Sequence, residues 1–145
     1  MDKPQSIVVD GTDLLAGRLS SNVAKLLLQG NHVTVVNCEK IMISGSRKNI
    51  VQEYKDFLQI ASILHPEHGP YHPRRPDTMI AKMIRGMLPR KKPSGQAAFR
   101  RLRTYIGVPS ILSSSKKTAF ENAKITRSSA NYTTVSELSR EVGWN

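Results

Sequence analysis

The chain has 145 residues, 39% of them hydrophobic, which suits one domain with a real core and excludes a wholly disordered chain. Its net charge is +11 and its pI about 10.2, a balance that favours nucleic acid over an acidic small substrate. A lone cysteine excludes an internal disulfide framework, and no apolar stretch reaches the length of a membrane span.

The first residues, Met1-Asp2-Lys3-Pro4, lack a secretory pattern, so the chain reads as intracellular. Ser6-Ile7-Val8-Val9-Asp10-Gly11 predicts a buried strand that ends in a turn. Leu15, Leu19, Val23, Leu26 and Leu27 then fall on one helical stripe, and Gly30 sits where a left-handed cap belongs. His32 to Asn37 is a second β-branched strand. Strand, helix and strand in this short span predict a βαβ unit with a parallel pair and a right-handed crossover. Cys38 follows an apolar run and reads as a small core residue. Ile41-Met42-Ile43 is a candidate short strand. Ser46 is placed to cap a helix carrying Ile50, Tyr54, Phe57, Leu58 and Ala61 on one face.

Regular structure fails from Ser62 to Pro76, where Pro66, Gly69, Pro70, Pro73 and Pro76 forbid it. Long loops in compact domains are usually functional or disordered, and proline limits disorder. Tyr71 and His72 offer this loop stacking groups, and Arg74 and Arg75 offer phosphate-binding ones.

The next stretch is the most informative. Asp77 is placed to cap a helix with Met79, Ile80, Met83, Ile84, Met87 and Leu88 on one face. Lys82 and Arg85 share the opposite face. Gly86 lies mid-helix, where its cost predicts close approach of another backbone. Pro89 should end the helix at Leu88. Arg90, Lys91 and Lys92 then stand side by side, and Ser94 is placed to cap another helix, with Arg100, Arg101 and Arg103 following. Between Arg74 and Arg103 the only acid is Asp77. Such uncompensated charge repels itself unless a polyanion neutralises it, and phosphate-rich RNA or DNA fits that role.

Arg103 to Gly107 predicts a strand closing the sheet. Residues 110–131 are rich in Ser and Lys with little periodicity, and are expected to order on a partner. Thr134-Val135-Ser136-Glu137 is a capping box. It opens a short last helix with Val135, Leu138 and Val142 on one face and Gly143 at its end.

Three catalytic or metal patterns fail on inspection. Gly11 to Gly17 has P-loop spacing, but Arg18 and Leu19 replace the lysine and hydroxyl a triphosphate needs. Asp10 and Asp13 would repel a triphosphate. Gly11 and Gly17 instead read as structural, allowing a tight turn and close helix–sheet packing. His65, His68 and His72 lack the second ligand cluster of a structural zinc site. Ser113-Ser114-Ser115 has no partnered His and Asp, so nucleophilic catalysis has no support.

The motifs, taken together, resemble a family. They are Asp10-Gly11 with Ala16-Gly17-Arg18-Leu19; Val35-Val36-Asn37-Cys38-Glu39 with Ile43-Ser44-Gly45; and Gly69-Pro70-Tyr71-His72 with Arg74 and Pro76. Ile84-Arg85-Gly86-Met87-Leu88-Pro89 follows, then Gly95-Gln96-Ala97-Ala98 leading to Leu102, Tyr105, Gly107 and Pro109. In this order they resemble the L-thirteen family of large-subunit ribosomal proteins, in its archaeal and eukaryotic branch. Residues 110–133 match it poorly. The resemblance implies a three-layer α/β/α fold with a short, mostly parallel sheet, no enzymatic activity and no cofactor. It implies one domain, residues 1–145, with an α/β core at 6–109 and an extension at 110–145. It also implies a cytoplasmic place in the large subunit, against ribosomal RNA and neighbouring ribosomal proteins, with no membrane and no small-molecule substrate. The expected RNA contacts are Arg74, Arg75, Lys82, Arg85, Arg90, Lys91, Lys92, Arg100 and Arg101 for phosphates, and Tyr71 and His72 for a base. Gly11, Gly17, Gly86 and Pro89 are the expected structural positions. A nucleotide-binding enzyme and a free DNA- or mRNA-binding regulator are the rival readings.

Overall fold

The computed structural model describes residues 3–127 and 131–145. Two β-branched runs form its centre. Strand β1 (Ser6–Asp10) pairs in parallel with β2 (His32–Val36), from Ser6 opposite His32 to Asp10 opposite Val36. Helix α1 (Ala16–Leu28) connects them, as the βαβ expectation requires. Its stripe works as predicted: Leu19, Val23 and Leu27 are fully buried, each worth ~1.5–3 kcal/mol. Gly30 adopts φ +99°, the left-handed turn that ends the helix.

The next strand and helix are bounded differently from the expectation. Strand β3 (Met42–Ser44) follows a short 3-10 turn at Cys38–Lys40. Helix α2 (Arg47–Leu58) starts where Ser46 Oγ accepts the Asn49 N–H at 3.4 Å, and it stops before Ala61. Cys38 is buried, as expected, and desolvation pushes its thiol up to about 12.

Helices α3 (Pro76–Gly86) and α4 (Pro93–Arg100) each begin on a proline. This corrects two cap assignments. Arg75 and Lys92 hold the cap positions in extended conformation, and Asp77 and Ser94 lie inside the first turns. Proline at the first helical position already lacks the N–H that a cap would satisfy, and it forces the residue before it to be extended. The apolar face of α3 is also narrower than expected. Met79, Ile80, Ile84 and Leu88 are buried, whereas Met83 and Met87 are exposed. Gly86 is the last helical residue rather than a mid-helix one.

Strand β4 (Leu102–Thr104) pairs with β2 and ends before the expected Gly107. Asn37, at φ +56°, breaks the regular ladder there. Single bonds then replace it: the Asn37 N–H donates to Gly107 O at 3.0 Å and the Cys38 N–H to Tyr105 O at 3.2 Å.

The segment after residue 110 is part of the described fold, contrary to the expectation of an extension that orders on a partner. Strand β5 (Lys117–Thr118) pairs in parallel with β1. Ala123 enters the core fully buried, and its carbonyl accepts the Leu15 N–H at 2.9 Å. Residues 128–130 of that expectation lie outside the described residues. Strand β6 (Tyr132–Thr134) pairs antiparallel with β3 and leads directly into α5 (Val135–Glu141). The predicted cap is present: Thr134 Oγ1 accepts the Glu137 N–H at 3.2 Å. Val135, Leu138 and Val142 are buried.

The architecture is therefore a parallel four-stranded sheet, in the order β4-β2-β1-β5, flanked by helices, with a separate β3-β6 pair. One apolar cluster joins α1 and the sheet to α3, α4 and α5. Among the described residues no helix is long and apolar enough to cross a membrane.

The Gly11–Gly17 turn is a structural knot. The Asp10 carboxylate accepts from the Thr12 N–H at 3.0 Å, the Thr12 hydroxyl at 2.7 Å and the Asn37 amide at 3.0 Å. Burial alone would raise its pKa, but these bonds outweigh it and hold the carboxyl below its ordinary value. The anion a triphosphate would meet is thus fixed in place. A Cβ at Gly11 would lie 2.6 Å from the Ile41 side chain, so this glycine is required by packing. Gly17 is different: it is exposed and a Cβ there would meet nothing within 4 Å, so close packing does not explain it.

Candidate nucleic-acid interface

The basic stretch is built on an apolar anchor. Ile80, Ile84 and Leu88 hold α3 in the core, and Ala98 holds α4. Between the helices the chain turns tightly, with the Lys92 N–H donating to Pro89 O at 3.0 Å. Gly95 makes this turn possible. A Cβ there would stand 2.5 Å from the Pro89 carbonyl carbon and closer still to its oxygen. The tight joint leaves Arg90, Lys91 and Lys92 outside it, all exposed.

The expected phosphate ligands divide into two groups. One group is engaged within the fold. Arg74 donates from Nη1 to Val142 O at 2.8 Å, closing the end of α5. Arg101 donates from Nη2 to Leu27 O at 2.6 Å, at the C-terminus of α1, where a cation is favoured. Arg75 pairs with Asp77 at 3.2 Å. Lys82 donates from Nζ to Tyr71 O at 2.8 Å and lies 4.0 Å over the Phe57 ring. Desolvation lowers its pKa from the ordinary value. These four side chains position the loop and the helices around the site.

The second group is Arg85, Arg90, Lys91, Lys92 and Arg100. Among the described residues none of these side chains has an ion-pair or hydrogen-bond partner. All five are exposed and all lie on or beside the α3–α4 joint. The backbone, not the side chain, of Arg90 and Arg100 is bonded, to Gln96 and Arg103 respectively.

The two expected stacking residues also part company. Tyr71 is 62% exposed. His72 is half-buried, its Nε2 is 2.7 Å from Ile60 O, and its ring packs edge-on to Phe57 at 4.7 Å. It therefore secures the loop and does not offer an open face to a base. Tyr54 braces the same loop by a hydrogen bond to Pro73 O, and burial pushes its hydroxyl up to about 12. Among the described residues no group of three His, Cys, Asp or Glu could hold a metal ion.

Sequence reasoning named Gly95 and Gln96 only within a family motif, with no role, and missed Phe99. Phe99 lies between clefts lined by Arg85, Arg90 and Arg100 on one hand and by Tyr71 and Lys82 on the other. An aromatic residue immediately before Arg100-Arg101 was the available signal.

The site is thus a set of exposed cations, with no acid paired to them among the described residues, carried on a parallel α/β body. The chain belongs to the family described as Ribosomal protein L13, whose sequence pattern matches residues 4–110. It is 42% identical to the large ribosomal subunit protein uL13 of Methanococcoides burtonii, over 94% of this chain and 96% of that one. The Aeropyrum pernix protein of the same name is 40% identical over 97% of this chain and 91% of its own. That of Sulfolobus acidocaldarius is 38% identical over 94% and 93%. These archaeal relatives therefore share the segment beyond residue 110 as well. The family is a structural component of the large ribosomal subunit, not an enzyme.

Proposed function

We propose that this chain binds and stabilises large-subunit ribosomal RNA, and so supports subunit assembly and translation. The observation that carries this reading is the set of five exposed cations on the α3–α4 joint whose side chains have no ion-pair or hydrogen-bond partner among the described residues. Cations neutralise phosphates where RNA strands pack closely, and releasing condensed counterions drives the binding. The rigid body decides where those charges sit, so phosphate contacts fix its position without reading sequence. Arg85, Arg90, Lys91, Lys92 and Arg100 are the phosphate ligands in this reading, and Tyr71 meets a base. Arg74, Arg75, Lys82 and Arg101 act by holding the surface in shape. The whole of residues 1–145 works as one domain. Neighbouring large-subunit proteins are its other partners, and Ile63 and Leu64, 93% and 87% exposed, are apolar side chains available to them.

Sedimentation of cell extract tests this directly. A tagged chain should travel with large subunits at moderate salt. Recovery with free DNA or messenger RNA, and none with large subunits, would support the regulator reading instead.

A further inference from the structure

A cleft of about 320 Å³ opens where α4 meets the end of α3. Arg85, Arg90 and Arg100 line it together with Leu88, Gln96 and Phe99, and among the described residues no acid does. Three guanidinium groups around an apolar surface repel one another unless an anion enters. The Arg85 guanidinium carbon lies 6.0 Å from the Phe99 ring centroid, whereas the Lys82 ammonium sits 4.0 Å from Phe57. The first distance is at the outer limit of a cation–π contact. A flat group held between two planes needs two contacts of ~3.5 Å, about 7 Å in all. A movement of about 1 Å by the exposed Arg85 side chain supplies the difference. Arg85 and Phe99 also line the adjoining cleft of about 260 Å³ that holds Tyr71, so a following base meets a second ring.

We infer that this cleft receives one unpaired nucleotide of the RNA, its base on Phe99 beneath Arg85 and its flanking phosphates on Arg90 and Arg100. Paired bases offer no free face to Phe99, and the deep groove of A-form RNA denies side chains their edges. The ligand is therefore a single-stranded loop, bulge or end rather than a duplex. The inference rests on the RNA-binding reading and assigns one element of it to a named cleft.

Two probes test it: a short oligoribonucleotide without self-pairing, and the duplex it forms with its complement. Binding of each is followed by fluorescence anisotropy for the full chain and for Phe99→Leu and Phe99→Tyr. The parent should bind the single strand more tightly, against the higher charge density of the duplex, which electrostatics alone would favour. Phe99→Leu should weaken single-strand binding at least about fivefold, the lower bound for one stacked base, and leave duplex binding unchanged. Phe99→Tyr should restore it. A parent that prefers the duplex overturns the inference, and this comparison needs no variant. So does a Leu variant that loses single strand and duplex equally, or one that loses neither. Retained binding of Phe99→Leu to a ribosomal RNA fragment, with an unchanged salt dependence, would leave the broader reading standing while removing this cleft from it.

Discussion

Replacing Arg90, Lys91 and Lys92 together by alanine is expected to make the dependence of RNA binding on salt shallower by about 2–3 in the slope of log K against log salt. The figure follows from roughly 0.7–0.9 per phosphate contact on single- and double-stranded nucleic acid. The three side chains are exposed and have no partner among the described residues, so the fold should not notice their loss. Surface substitutions of that kind stay within about 0.5 kcal/mol each. The melting temperature should therefore hold while affinity falls. The loss should also be similar across RNA sequences, because phosphate contacts carry no base information. A salt series on one ribosomal RNA fragment measures both effects. An unchanged slope would mean that the three cations are a solvated face.

Gly95→Val should act through the fold instead. Its added Cβ meets the Pro89 carbonyl carbon at 2.5 Å, and that atom belongs to the backbone. The two helices must separate, or the turn must distort. Overpacking of this kind costs about 1–3 kcal/mol. In a domain of this size that lowers the melting temperature by roughly 3–12 °C. The displaced turn should also weaken RNA binding. Gly86→Ala provides the contrast, since a Cβ there meets nothing within 4 Å. The isolated chain should tolerate it, and calorimetry of the two variants separates the cases. The close backbone approach expected at Gly86 is absent among the described residues. Equal melting temperatures for Gly95→Val and the parent would refute the tight joint.

Local periodicity made the βαβ unit legible. Leu19, Val23 and Leu27 repeat at helical spacing, and β1 and β2 each contain a β-branched run, at Ile7-Val8-Val9 and Val33-Thr34-Val35-Val36. Strands β5 and β6 span two and three residues, too few to show alternation, and their pairing depends on distant segments. The Ser-Lys composition of the 110–131 region concealed Ala123, which needs only a methyl group to enter the core. Pro76 was read as a breaker, although proline is at home in the first helical turn.

The basic surface was legible as charge but not as geometry. Arg74 and Arg101 bond to Val142 and Leu27, whose carbonyls are 68 and 74 residues away in sequence. Composition cannot reveal such partners, since any backbone carbonyl can serve. The acid count between Arg74 and Arg103 was correct, yet it predicted more free cations than the fold leaves. Carbonyl oxygens had taken the place of the missing acids.

In the proposed function the α3–α4 joint lies against RNA in the assembled subunit. Amine-reactive labelling of purified large subunits, read by mass spectrometry at Lys91 and Lys92, distinguishes a buried joint from an open one. Both ammonium groups are exposed in the isolated chain and should react readily there. In the subunit they should be strongly protected, and digestion of the RNA should restore their reactivity. Equal labelling in the free chain and in the intact subunit would mean that the joint faces solvent there.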